Sequence, residues 1–301
     1  MRPTRSRHLP LLGLMLAAVL SGCGSTPRPA DTGALPAQRI AEIIASPDRS
    51  SADRQNDLRR KPEALLAFIG PRPGQVALDV SAGGGYTTEL LARAIGPAGT
   101  VYGQSQPRNP ANPAPAPAAP EGNSHPTVAT SAQAAPVPVV DPPRPAAPRT
   151  SAMALAERSQ ALRNAGVAAA PIVAFAQRFD DPVPAAVANQ GLDLVTLMFN
   201  YHDLGHMGVD RAAMNRALFQ ALKPGGVYVI ADHAGRPGTG IGEAGTLHRV
   251  EEAFVRQEVE AAGFRLVAQG DFLRNPADPR DQNTPNPPMP KDEFVLKFVR
   301  P

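Results

Sequence analysis

Apolar residues along the chain alternate between two spacings, short runs suited to buried strands and stripes suited to one face of a helix. Val76-Ala77-Leu78-Asp79-Val80 is the first run; Gly83-Gly84-Gly85 follows, then a stripe of Leu90, Leu91, Ala94 and Ile95 that Gly96-Pro97 stops. Thr100 to Gly103 predicts a second strand. Thr150 or Ser151 caps a helix that runs to Asn164 and is closed by Gly166. Pro171 to Phe175 and the more apolar Leu192 to Phe199 predict strands three and four. Arg211 to Leu222 reads as an amphipathic helix ended by Lys223-Pro224-Gly225-Gly226, which leads into a fifth strand, Val227 to Ala231. Val250 to Ala262 predicts a helix closed by Gly263, and Phe264 to Ala268 and Glu293 to Val299 are the last strands. Strands alternating with helices imply an α/β fold, a doubly wound and mostly parallel sheet of seven strands with its ligand at their carboxyl ends. The final two strands, joined without a helix, should form a hairpin with one member antiparallel to the rest.

Other stretches carry neither spacing. Residues 107–149 hold 13 Pro and 11 Ala in 43 residues, a composition that cannot bury enough surface to offset its ordering entropy, so a disordered insertion is expected there. It divides the domain into residues 38–106 and 150–301. Asn275 to Lys291, with six prolines, reads as a long loop. At the start of the chain, Arg2, Arg5, Arg7 and His8 precede a charge-free apolar run of 12 residues, Leu9 to Leu20, too short to span a bilayer. That is the pattern of a secretory signal. It ends in Leu20-Ser21-Gly22-Cys23, which resembles the bacterial lipoprotein signal. The resemblance implies that residues 1–22 are removed, that Cys23 is diacylated as the mature N-terminus, and that residues 23–37 form a lipidated tether. Gly24 in place of an inner-membrane-retaining Asp points to the outer membrane, facing the periplasm.

Charge and composition narrow the function. The formal net charge of +3 disappears when the three leader arginines are set aside, leaving 27 Lys+Arg against 27 Asp+Glu. A balanced surface argues against nucleic acid as a partner and leaves the lipid at Cys23 as the membrane contact. A single cysteine excludes internal disulfides and thiolate zinc clusters. With no tryptophan and 5% aromatics, base-stacking and carbohydrate platforms are not expected.

An acidic residue near a strand end, a glycine turn and a helix are the parts that hold a nucleotide-like ligand, because glycines let backbone N–H groups approach and the helix dipole favours an anion. Here they are Asp79, Gly83 to Gly85 and the helix that follows. Together with Pro73-Gly74, Leu192-Asp193-Leu194-Val195 and Leu222-Lys223-Pro224-Gly225-Gly226, this segment resembles the class I S-adenosylmethionine-dependent methyltransferases, which have a Rossmann-like fold. Asn200-Tyr201-His202-Asp203, Ala231-Asp232-His233, Gly245-Thr246-Leu247-His248-Arg249 and Ala261-Ala262-Gly263-Phe264 are similar to a poorly characterised exported bacterial subfamily. The resemblance implies S-adenosylmethionine as cofactor, with Asp79 and Gly83, Gly84 and Gly85 facing its methionine amino and carboxylate groups. Asp180 or Asp181 would receive the adenine amino group, and Phe199 and Asn200 would flank the sulfonium. Ser81 stands at the family's first glycine, a departure that is tolerated where φ is negative. At the end of the second strand, where an acidic residue binds the ribose, the chain has Gln104-Ser105-Gln106, so Gln104 is left as a neutral partner without charge-assisted strength.

His202 with Asp203, and His233 with Asp232, follow the fourth and fifth strands, which makes each a candidate catalytic base or substrate ligand; the alternative is a histidine bonded to a loop carbonyl. His248 and Arg249 could meet an anionic substrate or serve as a cap. His202 and His206 are spaced to chelate a metal only if the stretch is helical. Gly205 and Gly208 speak against that and no third ligand is evident, so no metal is expected. Two functions remain open: a lipid-anchored methyltransferase acting on a small molecule or envelope component, and a non-catalytic Rossmann-like lipoprotein that binds a small ligand. Export stands against the first, since the cofactor is made in the cytoplasm, and the missing acidic residue at the second strand favours the second; the intact Asp79, the glycine turn and the histidine-bearing strand ends favour the first.

Overall fold

The structure, a computed structural model, describes residues 33, 35–107 and 149–301. The leader, Cys23 and most of the Pro/Ala-rich insertion lie outside the described residues. Seven strands form one sheet: β1 (Val76–Val80), β2 (Thr100–Ser105), β3 (Ile172–Ala176), β4 (Leu192–Met198), β5 (Leu222–His233), β6 (Arg265–Gly270) and β7 (Glu293–Val299), in the order β3-β2-β1-β4-β5-β7-β6. All neighbours are parallel except β7, which lies antiparallel between β5 and β6, so the expected hairpin is present. The sheet draws strands from both sides of the insertion, and the order reverses at β1, with β2 on one side and β4 on the other.

The alternation of side chains along the strands supplies two cores. Leu78, Val80, Val195 and Leu197 pack with Met214 and Leu218 of α7 (Arg211–Ala221) and with Val255 and Val259 of α8 (Glu252–Ala261). Ala77, Leu194 and Val229 face the other way, onto α3 (Pro62–Ile69) through Leu65 and Ile69 and onto α4 (Tyr86–Ile95) through Leu91 and Ile95. This is the two-layer cover that a parallel sheet requires.

Several boundaries differ from the sequence reading, each for a local reason. Residues 37–69 form α1 (Ala37–Ala45), α2 (Ser51–Arg60) and α3, to which the apolar pattern assigned nothing. In α2 only Asp53 is buried, so no apolar stripe marks it; its boundaries are the Ser50 cap, which accepts from the Asp53 N–H, and Lys61 at φ 43°. Strand β5 begins at Leu222 and includes Lys223-Pro224-Gly225-Gly226, which reads as a turn, because Leu222 pairs with Leu192 before the register shifts towards Leu194. A short helix, α6 (Asp203–His206), forms despite Gly205. A Cβ there would lie 2.4 Å from Ile241 Cγ1, so this glycine serves close packing and does not break the helix. The helix α5 (Ser151–Asn164) starts at the expected cap, with Thr150 Oγ1 accepting from the Met153 N–H.

Candidate active site at the carboxyl edge of the sheet

The turn after β1 is held from beneath. Ser81 has φ +58°, the left-handed region and not the negative φ at which a serine is tolerated in place of the family's glycine, which costs on the order of 1–3 kcal/mol for a residue with a side chain. Its N–H donates to Gln104 Oε1 at 2.9 Å, and Gln104 Nε2 donates to the Gln177 carbonyl at 2.6 Å. Gln104 is fully buried, so its amide braces the turn against the end of β3 and is not presented to a ribose. Gln106 Oε1 accepts the Phe179 N–H, and Ser105 Oγ donates to the Phe175 carbonyl. The whole neutral triplet at the end of β2 is thereby used within the protein.

Asp79 is also turned inward. Its two carboxylate oxygens accept from Thr88 Oγ1 at 2.6 Å and Thr196 Oγ1 at 2.7 Å, and the residue is 2% exposed. Burial outweighs those hydrogen bonds and pushes its pKa up to about 6. Asp79 therefore fixes α4 and β4 to β1 beneath the turn and does not point at a ligand in this arrangement. The glycines divide by role. At Gly83, φ +52°, a Cβ would have nothing nearer than the Ser81 carbonyl at 3.8 Å, and at Gly84 nothing lies within 4 Å. Gly85 is packed against α5: a Cβ there would lie 2.6 Å from Leu155 Cδ2 and 2.8 Å from Arg158 Cδ. Arg158 donates to the Gly84 carbonyl, makes a two-point contact with Asp53 and also reaches Glu89. A bulky residue at Gly85 thus disturbs folding itself, whereas Gly83 and Gly84 are the open face of the turn.

The end of β4 and the end of β5 carry a dense set of imidazoles and carboxylates. Phe199, at φ +60°, is buried under the guanidinium groups of Arg59 and Arg60, whose carbons lie 4.7 and 4.4 Å from its ring centroid. His202 is fully buried; its Nδ1 lies 2.6 Å from Asp232 Oδ1 and its backbone N–H donates to Asp232 Oδ2 at 2.8 Å. Its other nitrogen, Nε2, makes no hydrogen bond, although Asp203 Oδ1 is 3.3 Å away. Asp203 is oriented by Asn200, whose Nδ2 donates to Oδ2 at 2.7 Å, while Asp203 Oδ1 lies 3.2 Å from His248 Nδ1. His233 stacks obliquely between Phe199 and His202, with ring centroids 5.6 and 5.4 Å away, and its Nδ1 is 3.1 Å from Glu293 Oε1. Glu293 in turn accepts from Arg59 at 2.7 Å.

Electrostatics sort these groups. Burial disfavours the His202 imidazolium, but Asp232 and Asp203 outweigh it and raise its pKa to about 10. Burial also raises Asp203, yet His202 and His248 bring it down to about 2. His233 moves the other way: burial, reinforced by Lys291 and His202, holds it well below the ordinary imidazole value and keeps it neutral. Burial raises Glu293 in spite of Arg59 and Arg60.

His202, Asp203, His233 and His248 are thus gathered in one cluster with Phe199 and Asn200. Asp180 and Asp181 are not in contact with it; they sit in the loop after β3, where Asp180 is tied to Arg178 and lowered mainly by that hydrogen bond. Arg249 is not aimed at a substrate: it is fully buried, bound to Asp278 and to the Ala234 and Gln282 carbonyls. Glu293 and Arg59 were not found by sequence reasoning. The signal for Glu293 is a charged residue at the first position of an otherwise apolar strand, and its register partner is His233.

The sheet order, the glycine turn at its reversal and the strand-end cluster decide the architecture. The fold is that of the class I S-adenosylmethionine-dependent methyltransferases. A SAM-dependent methyltransferase from Aquifex aeolicus aligns over 88% of this chain and 99% of its own, at 14% identity and TM-score 0.50. One from Mesorhizobium loti aligns over 80% and 97%, at 13% identity and TM-score 0.47. No protein-family model matches the sequence, and no curated protein matches it.

Proposed function

We propose that this protein is an S-adenosylmethionine-dependent methyltransferase, anchored to the cell envelope by a lipid on Cys23, with a small molecule or envelope component as acceptor. What supports the reading is one juxtaposition: the open Gly83-Gly84 face lies at the reversal of strand order, beside a cluster of imidazoles and carboxylates at the ends of β4 and β5. The backbone at Gly83 and Gly84 has open space before it, and its N–H groups fit a carboxylate of the cofactor. The bound cofactor would supply an electrophilic methyl group. Transfer is an in-line displacement, so the chain's task is to position the acceptor and exclude water, with proton removal only where the nucleophile carries one. The Phe199 ring closes the site beside β4, and the His202, Asp203, His233 and His248 cluster lies next to it.

Calorimetric titration with S-adenosylmethionine and S-adenosylhomocysteine tests the reading. Both are expected to bind the wild type, and Gly83→Val is expected to weaken binding by about 1–3 kcal/mol, since a side chain both fills the open face and resists the positive φ. Failure of both to bind overturns it. The second reading, a non-catalytic small-ligand-binding lipoprotein of the same fold, is favoured by the neutral and internally bonded Gln104-Ser105-Gln106 triplet and would then stand. Anchoring is tested separately: Cys23→Ala is expected to shift the protein from the membrane to the soluble fraction and to abolish palmitate labelling. Labelling that persists would refute it. Among the described residues no helix is long and apolar enough to cross a membrane.

A further inference from the structure

We propose that His202, Asp203 and His248 form a binding site for a divalent first-row transition-metal ion, independently of whether the protein transfers methyl groups. Their donor atoms all lie within 4.8 Å of one another. Asp203 Oδ1 is 3.3 Å from His202 Nε2 and 3.2 Å from His248 Nδ1. Two ligands at about 2.1 Å from one ion are separated by roughly 3.0–3.4 Å in octahedral or tetrahedral geometry, so these spacings are those of neighbouring ligands.

The second observation is the state of His202. Its ring is fully buried, and Nε2, the atom turned towards Asp203, has no hydrogen-bond partner. A buried nitrogen that makes no hydrogen bond loses its hydration in return for no more than the attraction of the Asp203 carboxylate 3.3 Å away. A metal ion would remove that cost. The opposite nitrogen, Nδ1, is held by Asp232 at 2.6 Å, and Asp232 also accepts the backbone N–H groups of His202 and His233. This is the carboxylate–histidine arrangement that fixes ring orientation and raises the basicity of a ligand nitrogen. Asp203 is prepared in the same manner: Asn200 holds Oδ2 and leaves Oδ1 facing both imidazoles.

The donor set selects the kind of ion. Two imidazole nitrogens and one carboxylate oxygen, without thiolate, suit zinc, iron, nickel or cobalt; an all-oxygen set would suit magnesium or calcium. His206, half-exposed and with Nδ1 3.9 Å from Asp203 Oδ1, stands just outside the three. The sequence reading expected no metal because two glycines argued against a helix and no third donor was in view. Helix α6 forms nevertheless, and the third donor arrives 45 residues later in the chain, on a residue held at φ +50°.

The test uses the full chain, stripped with chelator and titrated with Co2+. One equivalent is expected to bind and to give a visible d–d absorption band, which Zn2+ then displaces. His248→Ala and Asp203→Asn, both at partly exposed positions and checked for folding by circular dichroism, are expected to weaken binding by about 10–100-fold or more and to lose the band. Absence of the band, an affinity unchanged in both folded variants, or binding of Mg2+ alone would overturn the proposal. Metal binding is read without S-adenosylmethionine, so a chain that binds Co2+ but not the cofactor refutes the methyltransferase reading and leaves this one intact.

Discussion

Replacing Asp232 by alanine is expected to lower stability by about 3–5 kcal/mol, the cost of breaking a buried ion pair by removing one partner. The carboxylate is fully buried and accepts three bonds, from the His202 N–H, the His202 ring and the His233 N–H. Its loss strands a charged imidazole and two backbone donors where water cannot reach them. For a domain of this size the fall in Tm is expected to be roughly 6–20 °C. The pH dependence carries a separate signature, measured with chelator present. His202 has a folded pKa of about 10, above its ordinary value of 6.5. Its contribution to stability is therefore fully present below about 6.5 and is lost as the pH rises towards 10. Urea unfolding of the wild type should show that alkaline decline, and the Asp232→Ala variant should show less of it. Equal slopes in the two proteins would mean that Asp232 is not what raises His202.

The second large effect is expected at Arg249, a residue with no access to solvent. Its guanidinium lies 2.9 Å from Asp278 Oδ2 and donates to the carbonyls of Ala234 and Gln282 at 3.1 and 3.0 Å. Asp278 in addition accepts the N–H groups of Asp292 and Arg280. Arg249 thereby ties the end of β5 to the proline-rich stretch between β6 and β7. Arg249→Ala should cost about 3–5 kcal/mol, because it leaves a buried carboxylate and two carbonyls without their partner. In a double-mutant cycle with Asp278→Ala, the paired variant should lose less than the two single losses added together. Strict additivity would show that the two side chains act separately. On the methyltransferase reading, affinity for S-adenosylmethionine, measured on whatever fraction stays folded, should be unchanged, since the Arg249 guanidinium bonds only Ala234, Asp278 and Gln282 and not the glycine turn.

The parts of the fold that were legible in the sequence are those where one physical term dominates. Strands β1 and β4 are buried on both faces, so their apolar runs stand out, and β7 is bounded as the pattern gives it. The first three helices were illegible for different reasons. Helix α2 buries only Asp53 and has no stripe to find, while α1 is short and presents Ile40, Ile43 and Ile44 over only nine residues. Glycines misled twice in the same way. Gly205 reads as a helix breaker and Gly85 as a ligand contact, yet both are small because a neighbouring side chain occupies the space of a Cβ. At the site, adjacency along the chain exposed His202 with Asp203 and Asp232 with His233. The inward turn of Asp79 and Gln104, the burial of Arg249 and the pairing of His233 with Glu293 are matters of side-chain direction and strand register, which no linear spacing records.

The position of β7 sets an order of events in folding. Arg59 and Glu293, whose side chains meet beside His233, are separated by 234 positions in sequence, and β7 must slot between two strands made earlier. A nascent chain can pair β1 to β5 before β7 exists, but its strand-end cluster lacks one wall until β7 has been added. Contacts of such long sequence separation are closed late and slowly, because the loop entropy is spent before the contact rewards it. The site is therefore complete only once β7 has docked, and the strand-end cluster should form as a single late step in refolding, together with the protection of β7 amides from hydrogen exchange.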